Sequence, residues 1–318
     1  MKIAILGGDG FVDVVNLDEK INERDRYVVR GQLLFDNGGP LRIRAIGDYS
    51  KIDELCCYAG NVLAGPTVPL LFAVGGQLAV EDVFSDRAFL DTLPVNDIEN
   101  YGGSVQADLD LGSLTLTSIT AYRELRAFNQ QDVDFSSAAV VSEFRNQAVD
   151  TFTQELRLTS DFDGPFNFLL GGIYAETDVS ENSYYVNGFG LDYAAAILGT
   201  FSAFGAGAPP SYLATSMYRN NTTDFKLKSF GIFGEVYFDI TDRLTFTGGL
   251  RYNDDSKSVS ARTTLANFLN PFGNGDPFTS PFVGGFDADA GVPGNQLLQE
   301  REVSFDAITG RAVLDYEF

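Results

Sequence analysis

Along most of the chain, apolar and polar residues alternate with a period of two. In DRYVVRGQLLF, Asp25 to Phe35, the residues Tyr27, Val29, Gly31, Leu33 and Phe35 share one face. Arg26, Arg30 and Gln32 lie on the other. Successive side chains of a strand point to opposite sides, so the run predicts a strand with one apolar face. DNGGP, Asp36 to Pro40, supplies a turn, because Gly accepts positive φ and Pro ends pairing. LRIRAIGDYSK then sets Leu41, Ile43, Ala45, Gly47 and Tyr49 against Arg42, Arg44, Asp48 and Ser50. The two runs predict a hairpin.

The pattern returns three times. Ser104 to Leu111 and Leu114 to Glu124 flank Gly112-Ser113. Thr151 to Ser160 and Phe166 to Thr177 flank Asp161-Phe162-Asp163-Gly164-Pro165. Phe225 to Phe238 and Leu244 to Asp254 flank Asp239 to Arg243. A further run, Gly310 to Phe318, ends the sequence. Within hairpins the breaks are short. Between them they are long: Ile52 to Gly103, Leu125 to Asp150, Asp178 to Asp224, and Asp255 to about Val303. Loops of that length are rare in compact soluble domains. Strands of about ten residues in a short-long rhythm are expected of outer-membrane β-barrels. The expected fold is all-β, an antiparallel up-and-down meander forming a partial transmembrane β-barrel of about 8–10 strands, an open curved sheet. Residues 1–24 are expected to be irregular and residues 25–318 to form the partial barrel.

On this reading the apolar faces meet outer-membrane lipid and the polar faces line the lumen. Phe168, Leu170, Gly172 and Tyr174 fall on the lipid side, Glu155 and Arg157 on the lumen side. Tyr27, Tyr49, Tyr122, Tyr174 and Tyr252 sit near the loop ends of their strands, where an aromatic girdle belongs. Parity adds a constraint. The first clear strand runs into a short turn, so an ascending strand should precede it. At least one strand is therefore expected to be missing upstream, unless the weak run Lys2 to Leu6 or Gly10 to Val15 supplies it.

Composition agrees and narrows the function. The chain holds 27 Phe, 14 Tyr and 33 Gly but only 2 Met, a balance that suits strands over packed helices. With 44 acids against 22 bases the net charge is −22, which disfavours nucleic acid as a partner. No run of about 18 apolar residues encodes a membrane helix. MKIAILGGDG is too short in apolar residues for a secretory leader, so none is expected in the chain as written.

These residues resemble a known family. DRYVVRGQLLFD with LRIRAIGDYSKIDELCC, then TFTQELRLTSDFDGPFNFLLGGIYAE, LTFTGGLRYNDDSKSV and TGRAVLDYEF, look like hairpins of TonB-dependent outer-membrane receptors. The resemblance runs from about Gly10 to Phe318. It implies a barrel of roughly 22 strands with a plugged lumen. It also implies uptake of siderophore-bound iron or another scarce solute, energised through the TonB complex. A plug, a TonB box and most of the strands are not recognisable in this sequence. The expectation is therefore a barrel fragment, inactive alone. The alternative is a small self-contained porin-like or adhesin barrel.

Other motifs carry less. Gly8-Asp9-Gly10 matches the first two glycines of a dinucleotide-binding turn, but Asp13 holds the third position and no helical periodicity comes after it. Cys56 and Cys57 are adjacent and can pair only in a strained ring, so two loop thiols are expected. The acidic pairs Asp132/Asp134, Asp254/Asp255 and Asp287/Asp289 lack the spacing of a calcium loop and read as solvated. Without a histidine, Ser-His-Asp and Cys-His catalysis are impossible. No catalytic, cofactor-binding or metal-ligating residue is assigned, no cofactor is expected, and an enzyme is not the expected class.

Overall fold

The structure is a computed structural model that describes residues 1–65, 68–73, 75–79, 84–139, 142–186, 216–267 and 298–318. In chain order the elements are β1 (Lys2–Gly8), β2 (Val12–Val14), β3 (Glu19–Ile21), β4 (Arg24–Asp36), β5 (Leu41–Leu55), α1 (Val68–Ala73), β6 (Arg87–Ala88), β7 (Val95–Asp110), β8 (Leu114–Asp132), β9 (Ser142–Ser160), β10 (Phe166–Val186), β11 (Ser216–Thr241), β12 (Leu244–Asn267) and β13 (Leu298–Tyr316).

Ten of these strands form one sheet in the order β1-β4-β5-β7-β8-β9-β10-β11-β12-β13. Every pairing in it is antiparallel, so the sheet is an up-and-down meander. β1 and β13 are its two edges, and the sheet does not close on itself. A small closed barrel is therefore not what these strands build.

Two expectations need correction. Residues 1–24 are not irregular: β1 pairs with β4 from Lys2↔Arg30 to Gly8↔Arg24. It supplies the ascending strand that parity required. Its alternation is weak, but β4 offers an unpaired edge, and main-chain pairing does not need alternating side chains. The strands also outrun the alternating segments. β7 begins at Val95, β8 runs to Asp132 and β9 begins at Ser142. β11 reaches 26 residues. Where both faces of a strand meet water the alternation disappears, but the ladder hydrogen bonds persist. The tyrosines expected near strand ends consequently lie within the strands.

The turns obey their sequence chemistry. Gly38 and Gly112 take φ of 73° and 87°. Asp36 Oδ1 accepts from the Gly38 N–H at 3.1 Å, and Asp110 Oδ1 from the Gly112 N–H at 2.8 Å. Each turn is also tied to its neighbour. The N–H groups of Asp110, Asp161, Asp239 and Glu317 donate to the carbonyls of Pro40, Ser113, Pro165 and Arg243. The turn ends thus form a stitched rim.

Packing sits at the opposite end. The buried apolar residues Val12, Val14, Ile21, Cys56, Ala88, Leu90 and Ala138 all lie in the loop-end connections. β3, β2 and β6 form a three-stranded sheet, with β2 and β6 parallel. Its core of Val12, Val14, Ile21, Ala88 and Leu90 is covered by Leu55, Tyr58, Leu93 and Phe135. Three connections therefore fold into one cap. Asn16 links two of them, donating to the Leu90 carbonyl at 2.7 Å and accepting from the Leu90 N–H at 3.1 Å. The glycine run read against a dinucleotide motif leads into this cap. A Cβ on Gly10 would stand 2.8 Å from the Ile21 carbonyl oxygen. Beyond Gly10 the chain enters strand β2, where a phosphate-binding turn would open a helix.

Cys56 and Cys57 form a disulfide rather than two free thiols. They lie where β5 enters the cap, between Leu55 and Tyr58. The Leu55 carbonyl accepts from the Asn22 N–H at 2.7 Å, and Asn22 Oδ1 accepts from the Tyr58 N–H at 3.2 Å. The anchored backbone on both sides keeps the two sulfurs together.

Candidate functional site

The main-chain register places one row of rings and apolar side chains on a single face. Tyr27, Tyr49, Tyr101, Tyr122, Phe152, Tyr174, Phe230, Tyr252 and Ile308 succeed one another across nine strands. Tyr27 and Tyr49 have ring centroids 5.7 Å apart, and Tyr49 and Tyr101 stack at 6.4 Å. On each strand the residue at the turn end of this face is eight positions away, as in Tyr27 and Phe35, Leu41 and Tyr49, or Phe166 and Tyr174. Eight positions span roughly 26 Å along a strand. That is close to the apolar height of about 25 Å that membrane barrels present. Leu33, Leu156, Leu170, Ile232, Leu250 and Leu314 stand exposed inside this band.

Above the belt the same face changes character at once. Tyr122 donates to Glu124 at 2.9 Å, Tyr174 to Glu176 at 2.5 Å and Tyr49 to Glu99 at 3.2 Å. Tyr101 also donates to Glu124. Basic side chains join them: Arg126 meets Glu124 at 3.0 Å and Asp150 at 2.8 Å, and Lys228 meets Glu176 at 3.6 Å. Tyr49, Tyr101, Tyr122 and Tyr174 therefore present their apolar bodies toward the band and their hydroxyls toward a charged collar. Amphipathic rings take this position at a lipid–water boundary.

The opposite face of the band is polar. Arg30, Arg42, Arg44, Arg157, Arg251 and Arg311 share it with Asp48, Asp108, Glu155, Glu235 and Asp315. Arg44 donates to Gln106 at 2.6 Å, Thr117 to Asp108 at 2.8 Å and Arg311 to Glu235 at 2.9 Å. Positive and negative groups nearly balance here, so the acidic excess of the chain lies outside this wall. Glu155 and Arg157 fall on this face and Phe168, Leu170, Gly172 and Tyr174 on the other, as expected.

Of the acidic pairs, Asp132/Asp134 gains a third member that spacing could not reveal. Asp91 comes from the connection before β7, and the ligand oxygens of Asp91, Asp132 and Asp134 lie within 4.8 Å of one another. Asp132 is 1% exposed, and its oxygens accept from the N–H of Asp91 at 3.0 Å and of Phe135 at 2.8 Å. Burial, and then the charge of Asp134, push its pKa up to about 8. Burial also raises Asp91. Calcium takes six to eight oxygens, and burial beside a like charge favours a proton held within this cluster. Asp254 accepts from Tyr252 at 3.4 Å. Asp287 and Asp289 lie outside the described residues.

The folded pKa of Asp132 lies above its ordinary value of 3.8, so folding favours the protonated acid. Its stabilisation of the cap is complete below about pH 4 and is lost as pH rises toward about 8. The protection of the Phe135 and Asp91 amides, relative to base-catalysed exchange of the unfolded chain at the same pH, should fall across that window. In Asp132→Asn that fall should flatten. An unchanged pH profile in that variant would assign the titration to another group.

A continuous apolar band bounded by rings, with a polar wall behind it, defines the chain as part of an outer-membrane β-barrel. Residues 58–295 match the family model described as TonB dependent receptor-like, beta-barrel. The chain belongs to that family, one of outer-membrane β-barrels. Among solved structures it is similar to the ferric yersiniabactin uptake receptor FyuA from Yersinia pestis, with TM-score 0.61 and 13% identity over 99% of this chain and 39% of that one. It is also similar to the siderophore receptor PiuA from Acinetobacter baumannii, with TM-score 0.57 and 15% identity over 99% of this chain and 42% of that one. A third is the ferric-catecholate import receptor Fiu from E. coli K12, with TM-score 0.53, 12% identity, and 99% and 47% covered. The chain thus spans less than half the length of each of these receptors.

Proposed function

We propose that this chain forms part of the wall of a TonB-dependent receptor that imports siderophore-bound iron or another scarce solute across the outer membrane. The observation that carries this reading is the eight-position band repeated over nine adjacent strands, backed by the family match. In the assembled receptor the banded face meets lipid. The Arg-, Thr- and carboxylate-lined wall faces the lumen, and the cap stands at the outer surface. TonB and its inner-membrane complex supply the energy. Alone the chain does not transport, because an open sheet encloses no lumen to gate.

Deletion of the gene should abolish energy-dependent uptake of iron-55 loaded on a siderophore. Uptake through the intact receptor should stop when a protonophore collapses the proton gradient. Iron uptake that is indifferent to both treatments would refute the iron assignment. Energy-dependent uptake by vesicles holding this chain alone would refute its inactivity.

A further inference from the structure

We propose that the inner wall holds a binding hollow for one oxyanion, a carboxylate or phosphate group carried by a small solute. The inference rests on the solute-uptake reading and narrows its substrate class. Its frame is one transverse row across five strands: Arg30 opposes Asp48, Asp48 opposes Gly102, Gly102 opposes Arg123, and Arg123 opposes Thr151. Gly102 is the enabling member. Without a side chain between them, Arg123 reaches over β7 and donates to Asp48 at 2.9 Å and to Asn100 at 2.6 Å. A Cβ at position 102 would lie 2.7 Å from the Tyr122 carbonyl oxygen and 3.2 Å from the Arg123 Cβ.

Arg30 approaches the same carboxylate from the other side, but only to 4.0 Å. Among the described residues its guanidinium makes no hydrogen bond. Two guanidinium groups thus share one carboxylate, leaving one positive charge on the wall of a chain whose net charge is −22. The neighbouring row is Ile46, Ser104, Ala121 and Thr153. The short side chains of Ser104, Ala121 and Thr153 leave a hollow of about 350 Å³ against the arginines, with Ile46 at its edge. That volume lies at the small end of ligand sites. The hydroxyls of Ser104, Thr151 and Thr153 line it beside the arginines. The Arg30 guanidinium can pair with a carboxylate or phosphate through two parallel hydrogen bonds strengthened by opposite charge, a strengthening that a neutral or cationic solute lacks.

The full chain, refolded in vesicles, would be titrated with citrate and with inorganic phosphate by calorimetry. Saturable binding is expected, weakening as salt rises. Arg30→Gln and Arg123→Gln should each weaken it at least tenfold. Ser104→Leu should fill the hollow and remove binding while the sheet's circular dichroism stays unchanged. Binding of citrate alone would support the site and assign a carboxylate, and binding of phosphate alone would assign a phosphate. No binding of either probe by the folded chain, or binding that all three variants leave intact, overturns the proposal. If the gene-dependent iron uptake stands while the hollow binds nothing, only this inference falls. If the hollow binds but uptake is indifferent to the gene, only the uptake reading falls.

Discussion

Arg26→Leu is expected to destabilise the upper wall by about 3 kcal/mol, the low end of what breaking a buried ion pair costs. The Glu54 side chain is wholly buried at the end of β5, beneath the cap. Arg26 holds it through two hydrogen bonds, Nε to Oε1 at 2.5 Å and Nη2 to Oε2 at 2.9 Å. Arg24 stands 3.6 Å away, too far to replace that fork. Removing Arg26 leaves the buried carboxylate with only the Asp25 N–H and the more distant Arg24. Glu54→Gln in the same background should recover part of the loss, because a neutral amide is cheaper to bury than an unpaired charge. Urea unfolding of the refolded chain in vesicles measures both. Equal stability of Arg26→Leu and the parent would mean that Glu54 is solvated or paired elsewhere.

The second large effect comes from two adjacent residues on β10. Leu170 is midway between Phe166 and Tyr174 on the banded face and is 52% exposed. Leu169 points to the other face, since side chains alternate along a strand. Leu170→Arg should cost about 2–4 kcal/mol, the penalty for a cation at the midplane of a bilayer. Leu169→Arg should cost far less, because the inner wall already carries arginines among its polar groups. Unfolding free energies in phospholipid vesicles separate the two. Equal losses at both positions would show that the faces are wrongly assigned. The comparison is sharp because a slip of one residue in register would exchange the two outcomes.

The band was legible in the sequence because an apolar face and a polar face on the two sides of a strand impose a period of two. Phe166 to Tyr174 shows this most plainly, and its turn was marked by Asp163-Gly164-Pro165. The reach of the strands beyond the band was not legible. Ser142 to Asp150 mixes polar and apolar residues on both faces, so its side chains carry no period-two record of the ladder that its backbone makes. β1 was legible only as a weak candidate, since its place depends on the free edge of β4 more than on its own residues.

The sequence by itself determined the architecture and the apolar face, and its strand phrases carried the resemblance to the family. The architecture and that face rest on local alternation and turn chemistry, which act over a few residues. Only the tertiary structure decided which distant residues meet. The cap core joins Val12 to Ala88 and Phe135, Asp91 joins Asp132, and Arg123 reaches Asp48 over Gly102. Those meetings depend on strand register and on how three connections fold over the wall. Both are set by pairing between segments far apart in the chain, which leaves no periodic trace in either partner.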